Sequence, residues 1–429
     1  VNYDDALRWL DDHVNLEALL NPSRHAPPTL DRMRELMSVM ADPHDQYPVI
    51  HLTGTNGKTS TARIISRLLD VAGLSVGTYT SPHLERITER ISWNLEPIAE
   101  GAFGEVVGAV ADIIPLLSTE PTYFELLTGV AFRWFADIAV DAAVVEVGLL
   151  GRWDATNVVN SRVSVITNIG ADHLDYAGTI ENVAREKAGI VKEGATLVLG
   201  ETDPTYAPIF AARPAAAIWR RDEEFACTQN EIAHGGRLLS IRTPAAQYDD
   251  VYLAMHGAYQ GDNATLALTA VEAFLGQSLA SELVEEAFAS VSSPGRLEVV
   301  RRQPLIVLDG AHNAPAAAAL AETLIDEFGD DAPWTVVLGL LAPHDPADLL
   351  GALDSIGIGR VIACSPNSPR AVLAEEVQDA ALEAGYDAAA ESSVGGACAM
   401  AVRDAGDNGR VLVTGSLYTV GAARSVLAR

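Results

Sequence analysis

The run Pro48-Val49-Ile50-His51-Leu52-Thr53 leads directly into Gly54-Thr55-Asn56-Gly57-Lys58-Thr59-Ser60, and an apolar-periodic stretch follows that closes at Gly73. A short β-branched run that ends in a Gly-rich loop and opens a helix brings backbone N–H groups and the positive end of a helix dipole to one point, which suits phosphate. Lys58 can reach the β/γ-phosphates of a nucleoside triphosphate, and the Thr59 hydroxyl can ligate Mg²⁺. The longer form of this loop has Gly at position 52, where this chain has Leu52, so the spacing here is G-x-x-G-K-T. The expected phosphate cradle is Gly54, Thr55, Asn56, Gly57, Lys58, Thr59 and Ser60.

On both sides of this loop, short β-branched runs alternate with longer helical stretches, the pattern of a parallel α/β protein. Strands are expected at 49–52, 76–80, 142–147, 163–169, 196–199, 306–309, 336–340, 360–363 and 410–414. The stretch 203–250 carries Pro204, Pro208, Pro214, Pro244 and Gly235-Gly236, and reads as short antiparallel strands. Alternation restarts after Ser292-Ser293-Pro294-Gly295, which predicts a first domain over 1–293, a second over 297–429 and a hinge at 293–295. The fold class is α/β: a P-loop parallel-sheet ATPase domain with a small antiparallel subregion, then a C-terminal Rossmann-like α/β domain.

The chain has 429 residues, 48% hydrophobic, and a net charge of −29. Such a surface repels nucleic acid and anionic lipid, and no apolar run reaches the roughly 18 residues that a membrane span needs. The polar, acidic start has no basic segment leading into an apolar one, so a cytoplasmic location is expected. Cys227, Cys364 and Cys398 are few and far apart, which argues against a disulfide framework or a zinc site. Only Lys58, Lys187 and Lys192 are lysines; the other 26 basic residues are Arg. Acid excess with lysine depletion suits a salty cytoplasm, and a melting temperature that rises from low to molar KCl would bear out that reading.

Arg replaces Lys as a surface cation but not as an amine nucleophile or a compact phosphate-binding charge, so the surviving lysines draw notice. Lys187 lies in a helix that Thr179 is expected to cap; Lys187 and Lys192 could instead pair with Glu186 or Glu193. Glu146 ends an expected strand near the phosphate loop and is either a Mg²⁺ partner or a solvated acid. His173, after another expected strand, is either a ligand or a packed ring.

Taken in order, the motifs resemble the Mur-ligase superfamily of ATP-dependent amide ligases, more closely its folylpolyglutamate synthase and dihydrofolate synthase branch. They are Thr80-Ser81-Pro82-His83-Leu84 with Glu89-Arg90-Ile91, Thr122-Tyr123-Phe124-Glu125, Glu146-Val147-Gly148-Leu149, Gly151-Arg152-Trp153-Asp154-Ala155-Thr156-Asn157, Glu186-Lys187-Ala188-Gly189-Ile190, Pro294-Gly295-Arg296, Asp309-Gly310-Ala311-His312-Asn313 and Thr414-Gly415-Ser416-Leu417-Tyr418. The resemblance implies catalytic Lys58, Lys187 and His173. It implies two Mg²⁺ held by Thr59, Ser81, Glu146, His173 and a CO₂-derived carbamate on Lys187. It further implies ATP contacts from Asn263, Arg296 and Asp309. The pterin wall would be Thr122, Tyr123, Phe124, Glu125, Trp153, Asp154 and Ala155, with His312 and Ser416 facing the incoming glutamate. The implied reaction adds L-glutamate to dihydropteroate or a reduced folate through an acyl phosphate, in a monomer, without nucleic acid or membrane. Three departures bear on substrate detail: Leu150 where the family has Gly, Thr59 in the loop, and Ala342-Pro343-His344-Asp345 in place of Asp-Lys-Asp. A cell-wall-type ligase acting on a nucleotide-linked peptide is the alternative enzyme, and an ATP-binding switch or paralogue the alternative outside catalysis.

Overall fold

A computed structural model describes residues 1–15, 17, 29–171 and 174–428. Eight strands build the first sheet: β1 (Val49–Thr53), β2 (Val76–Tyr79), β3 (Ile91–Trp93), β4 (Glu96–Pro97), β5 (Ala142–Glu146), β6 (Val163–Ile166), β7 (Thr196–Leu199) and β8 (Ala217–Arg220). Their order is β4-β3-β2-β5-β1-β6-β7-β8. From β2 to β8 all pairings are parallel, and β3 and β4 add an antiparallel edge. Every residue of β1, β5 and β6 is buried. Strands covered on both faces read as continuous apolar runs rather than alternating ones, which is why the sequence shows them so plainly. One face packs the Lys58–Val71 and Tyr259–Leu275 helices, and the other the Tyr123–Asp137 helix.

The antiparallel subregion is a three-stranded sheet of β9 (Ala226–Ala233), β10 (Gly236–Arg242) and β11 (Gln247–Leu253). It begins later than the proline spacing suggests, because Ala207–Ala211 is a short helix with Pro208 in its first turn, where a missing N–H costs nothing. The last sheet holds β12 (Glu298–Arg302), β13 (Leu305–Leu308), β14 (Trp334–Leu338), β15 (Ile358–Cys364), β16 (Asp387–Glu391) and β17 (Arg410–Thr414), in the order β12-β13-β17-β14-β15-β16. All its neighbours are parallel except β12. β8 lies in the stretch expected to be antiparallel but pairs with β7 in parallel, and β3, β4, β12 and β16 were not expected from sequence. β4, β8, β12 and β16 lie at sheet edges, and β16 is Asp-Ala-Ala-Ala-Glu, a run of low strand propensity that is held by its ladder to β15.

The two large sheets meet beside the phosphate loop. Ser60 Oγ lies 3.1 Å from Ser293 Oγ, and Arg63 donates to the Ser292 carbonyl at 2.6 Å. Leu84 is wedged between Gly295 and Gly421: a Cβ at position 421 would fall 1.8 Å from the Leu84 carbonyl oxygen, so only Gly allows this approach.

Candidate active site

The carboxyl ends of β1, β2, β5 and β6 face those of β13, β14 and β17 across one cavity of about 1160 Å³. Ligands of open α/β sheets bind at such strand ends. Leu52, where the longer loop has Gly, is fully buried inside β1, so the tight turn starts only at Gly54. The segment after β6 braces the loop. The Asn56 N–H donates to Asn168 Oδ1 (2.9 Å), Asn168 Nδ2 and Thr167 Oγ1 donate back to the Asn56 carbonyl (3.1 and 2.6 Å), and the Gly170 N–H donates to Thr55 Oγ1 (2.9 Å). Gly57 has φ +82°, and a Cβ there would meet Asn263 Oδ1 at 2.4 Å; glycine therefore serves both the turn and the contact. The Lys58–Val71 helix opens directly from Gly57, so its first N–H groups point into the cleft as an anion site.

Glu146, at the end of β5, is almost fully buried. Thr59 Oγ1 donates to its two oxygens at 3.0 Å each, and the Ser81 N–H reaches Oε2 at 3.4 Å. Burial pushes its carboxyl up to about 7, against the pull of Lys58, the Thr59 hydrogen bond and Arg296. A buried carboxylate so weakly compensated, beside the Thr59 hydroxyl, is a fitting partner for a hard divalent cation. Among the described residues no three His, Cys, Asp or Glu side chains cluster as ligands. His173 lies outside the described residues. Lys187, 2% exposed, donates to the Gly54 carbonyl at 2.7 Å. Lys58 donates to the same oxygen at 3.0 Å and to the Thr55 carbonyl at 3.2 Å, so two of the three lysines converge on one backbone atom. Lys192 instead holds the Asn157 carbonyl at 2.8 Å, and burial lowers its ammonium to about 8. It ties down the loop that carries Trp153.

On the first-domain side the cleft is lined by Thr122, Phe124, Glu125, Trp153, Asp154 and Ala155. Thr122 and Glu125 form a reciprocal cap on the Tyr123–Asp137 helix, and Arg32 donates to both Glu125 oxygens at 3.1 and 3.0 Å. The tip of the Phe124 ring presses against Gly148, where a Cβ would clash with it. Trp153 is 47% exposed, an apolar face open to a ligand. Tyr123 does not line the cleft; it is turned into the core under the sheet. Leu150 takes φ +57°, the left-handed conformation that explains why glycine suits this position.

Behind this wall, Asp154 Oδ1 accepts from Thr156 Oγ1, which lies 2.9 Å from His51 Nε2 on β1. The His51 ring is fully buried; burial, then the Lys192 charge, lowers it from the usual 6.5 to about 3. The unfolded chain takes up this proton near 6.5 and the folded chain does not. Stability is therefore intact above pH 6.5 and is lost as pH falls through that value toward 3, by about 2 kcal/mol at pH 5. His51→Asn should flatten this acid limb in denaturant titrations at pH 7 and pH 5; an unchanged pH slope would contradict the assignment.

The second sheet supplies Arg296, Asp309, His312 and Ser416, and the Tyr259–Leu275 helix supplies Asn263. The Leu297 and Ala311 N–H groups hold the Asp309 carboxylate, both at 2.8 Å. Burial raises its pKa and the Arg296 charge opposes this. His312 stacks edge-on against His344 (centroids 5.3 Å), so the altered 342–345 segment reaches the cleft. Ser416 caps the Leu417–Leu427 helix. The sequence reading missed Glu17, Arg370, Tyr259 and Gln260, which all line the cavity. Arg90, 1% exposed, forms a two-bond pair with Glu17 (2.9 and 2.8 Å), while Arg370 donates to the Glu17 carbonyl at 3.1 Å. This pairing of Glu17 with Arg90 and Arg370 is a long-range arrangement with no local signature.

Two family descriptions match the chain: "Mur ligase middle domain" over residues 52–271 and "Mur ligase, glutamate ligase domain" over 295–417. The dihydrofolate synthase/folylpolyglutamate synthase of Mycobacterium tuberculosis is 38% identical, over 97% of this chain and 94% of that one. Folylpolyglutamate synthase of the same organism, solved in complex with ADP, superposes with a TM-score of 0.92 at 37% identity, over 100% of this chain and 98% of that one. A bifunctional folylpolyglutamate synthase/dihydrofolate synthase solved with Mn, AMPPNP and L-glutamate gives 0.86 at 28% identity, over 100% and 98%.

Proposed function

The chain belongs to the folylpolyglutamate synthase/dihydrofolate synthase family of the Mur ligase superfamily, and from that premise we propose how its cleft works. It is an ATP-dependent ligase that adds L-glutamate to a folate-type carboxylate with the help of a divalent metal; a cell-wall-type acceptor is not favoured. The proposed acceptor is a pterin-linked carboxylate, dihydropteroate or a reduced folate, lying between Phe124 and Trp153. The loop N–H groups and Lys58 hold the β/γ-phosphates, while Asn263, Arg296 and Asp309 hold the nucleoside end. Thr59, Ser81, Glu146 and His173 would hold Mg²⁺, with Lys187 as a carbamate completing a second cation site. Mg²⁺ bound there supplies charge neutralisation for the transferring phosphoryl group.

A free carboxylate is a poor electrophile at neutral pH, so the acceptor carboxylate first attacks the γ-phosphorus of ATP, the bond to the bridging oxygen breaks, and ADP and an acyl phosphate form. The glutamate amine, placed near His312 and Ser416, then attacks the acyl carbon; phosphate leaves and an amide forms. Water must be kept from the acyl phosphate, and residues 1–293 and 297–429 are proposed as two units that close on the cleft around 293–295. The observation that carries this reading is the convergence of Lys58, Lys187, Thr59 and Glu146 within hydrogen-bonding distance of one loop. The test is phosphate release from ATP with glutamate and three acceptors in parallel: dihydropteroate, a reduced folate monoglutamate and a cell-wall nucleotide precursor. Release with either pterin acid and not with the third supports the proposal. Release with the third alone, or with no need for glutamate, overturns it.

A further inference from the structure

A second polar centre, outside the cavity lining, ties the last sheet's first helix to the antiparallel subregion, and none of the roles above uses it. Glu327, in the last turn of the Ala314–Phe328 helix, has a side chain only 3% exposed. Its partners come from the first domain. Arg237 Nη1 on β10 and the Gly257 N–H donate to Oε1 at 3.1 and 2.8 Å, and His256 Nδ1 lies 2.6 Å from Oε2. Arg237 is itself held by Asn230, through Oδ1 at 2.8 Å and the carbonyl at 3.0 Å, and Asn230 Nδ2 donates to the Ala258 carbonyl at 2.7 Å. The carboxylate therefore joins two separate segments of the first domain, β10 and the 256–257 turn, to one helix of the second.

The turn held in this way leads straight into the Tyr259–Leu275 helix. Gly257 has φ +102°, and a Cβ there would lie 2.8 Å from the Tyr259 ring, so the ring folds back over the residue that Glu327 grips. Tyr259 lines the cavity together with Ala316 and Ala319, which belong to the same helix as Glu327. Gln260 Oε1 is taken by Asn263 Nδ2 at 2.9 Å, while its own Nε2 is buried and finds no acceptor among the described residues. A flat ring and small side chains lining one cavity suit a heteroaromatic base.

We propose that Glu327 is a positioning residue for the nucleotide: by clamping the Ala314–Phe328 helix onto the 256–257 turn, it sets the gap between Tyr259 and Ala316/Ala319 in which the base lies. The proposal rests on the ATP reading above. The clamp is buried on both sides, and loss of its charge leaves Arg237 without a counter-ion, so the turn relaxes rather than finding a substitute in water.

The test uses the full chain and Glu327→Gln, which keeps the shape and removes the charge. Calorimetric Kd and KM for ATP should rise about tenfold, while kcat at saturating ATP and KM for glutamate stay within about twofold. Affinity for inorganic triphosphate, which has no base, should not move. Glu327→Asp should recover part of the loss. If Glu327→Gln is too unstable to assay, His256→Gln, which removes one partner only, should raise the ATP Kd by about threefold. An unchanged ATP Kd in a folded variant, or a parallel loss of triphosphate affinity, would overturn the clamp. Absence of glutamate-dependent turnover in the wild-type protein would overturn the functional reading instead, and the Kd comparison would still decide on the clamp.

Discussion

Lys58→Ala abolishes glutamate-dependent phosphate release, with a loss on the order of 10³-fold in kcat and a fold that stays intact. The ammonium is held at the rim of the loop by the Gly54 and Thr55 carbonyls, 3.0 and 3.2 Å away, so it is already in place before substrate arrives. Alanine removes the ammonium that opens the helix itself; Lys187, on the same Gly54 carbonyl, sits on a different helix and does not take its place. Lys58→Arg should not restore turnover, because a planar fork cannot replace a compact charge in a turn whose neighbours at Gly57 leave no room. The check is a coupled phosphate assay on both variants together with their melting curves. More than about a tenth of wild-type kcat in a folded Lys58→Ala protein would end the loop assignment.

Lys187→Ala should be nearly as damaging, with a loss on the order of 10²-fold, yet it should respond to small molecules in a way that Lys58→Ala does not. The side chain is buried against the underside of the phosphate loop, 2.7 Å from the Gly54 carbonyl. If its role is to become an anionic ligand through CO₂, then acetate or another short carboxylate diffusing into the gap left by alanine restores part of the rate. Lys187→Arg, which carries charge but forms no carbamate, restores nothing. If its role is only to brace the loop, the order reverses: arginine rescues and acetate does not. Assays in degassed and bicarbonate-supplemented buffer give a third readout on the wild-type protein, whose rate should fall when CO₂ is removed. Wild-type rates in Lys187→Ala would refute the carbamate.

The parallel sheets were legible because their strands are buried on both faces and spell out uninterrupted apolar runs, as Val49–Thr53 and Ala142–Glu146 do. The edge strands were not. Asp387–Glu391 owes its conformation to the neighbouring ladder and says little by itself, and Glu298–Arg302 is mostly charged. In the cleft, residues that sit at strand ends in local motifs, such as Lys58, Glu146 and Asp309, could be read one segment at a time. Glu17, Arg32, Arg370 and Glu327 matter because of what the fold places opposite them, 70 or more positions away along the chain. Leu150 shows the limit of motif matching: the backbone keeps the left-handed turn of a glycine while the residue has changed.

The contact between Leu84 and Gly421 has a mechanical consequence. Leu84 is three residues from Ser81, whose N–H faces Glu146, and its carbonyl rests directly on the backbone of the last helix. If the two units close around 293–295 as proposed, their motion bears on this contact as well. Only three peptide units separate it from Ser81, beside Glu146.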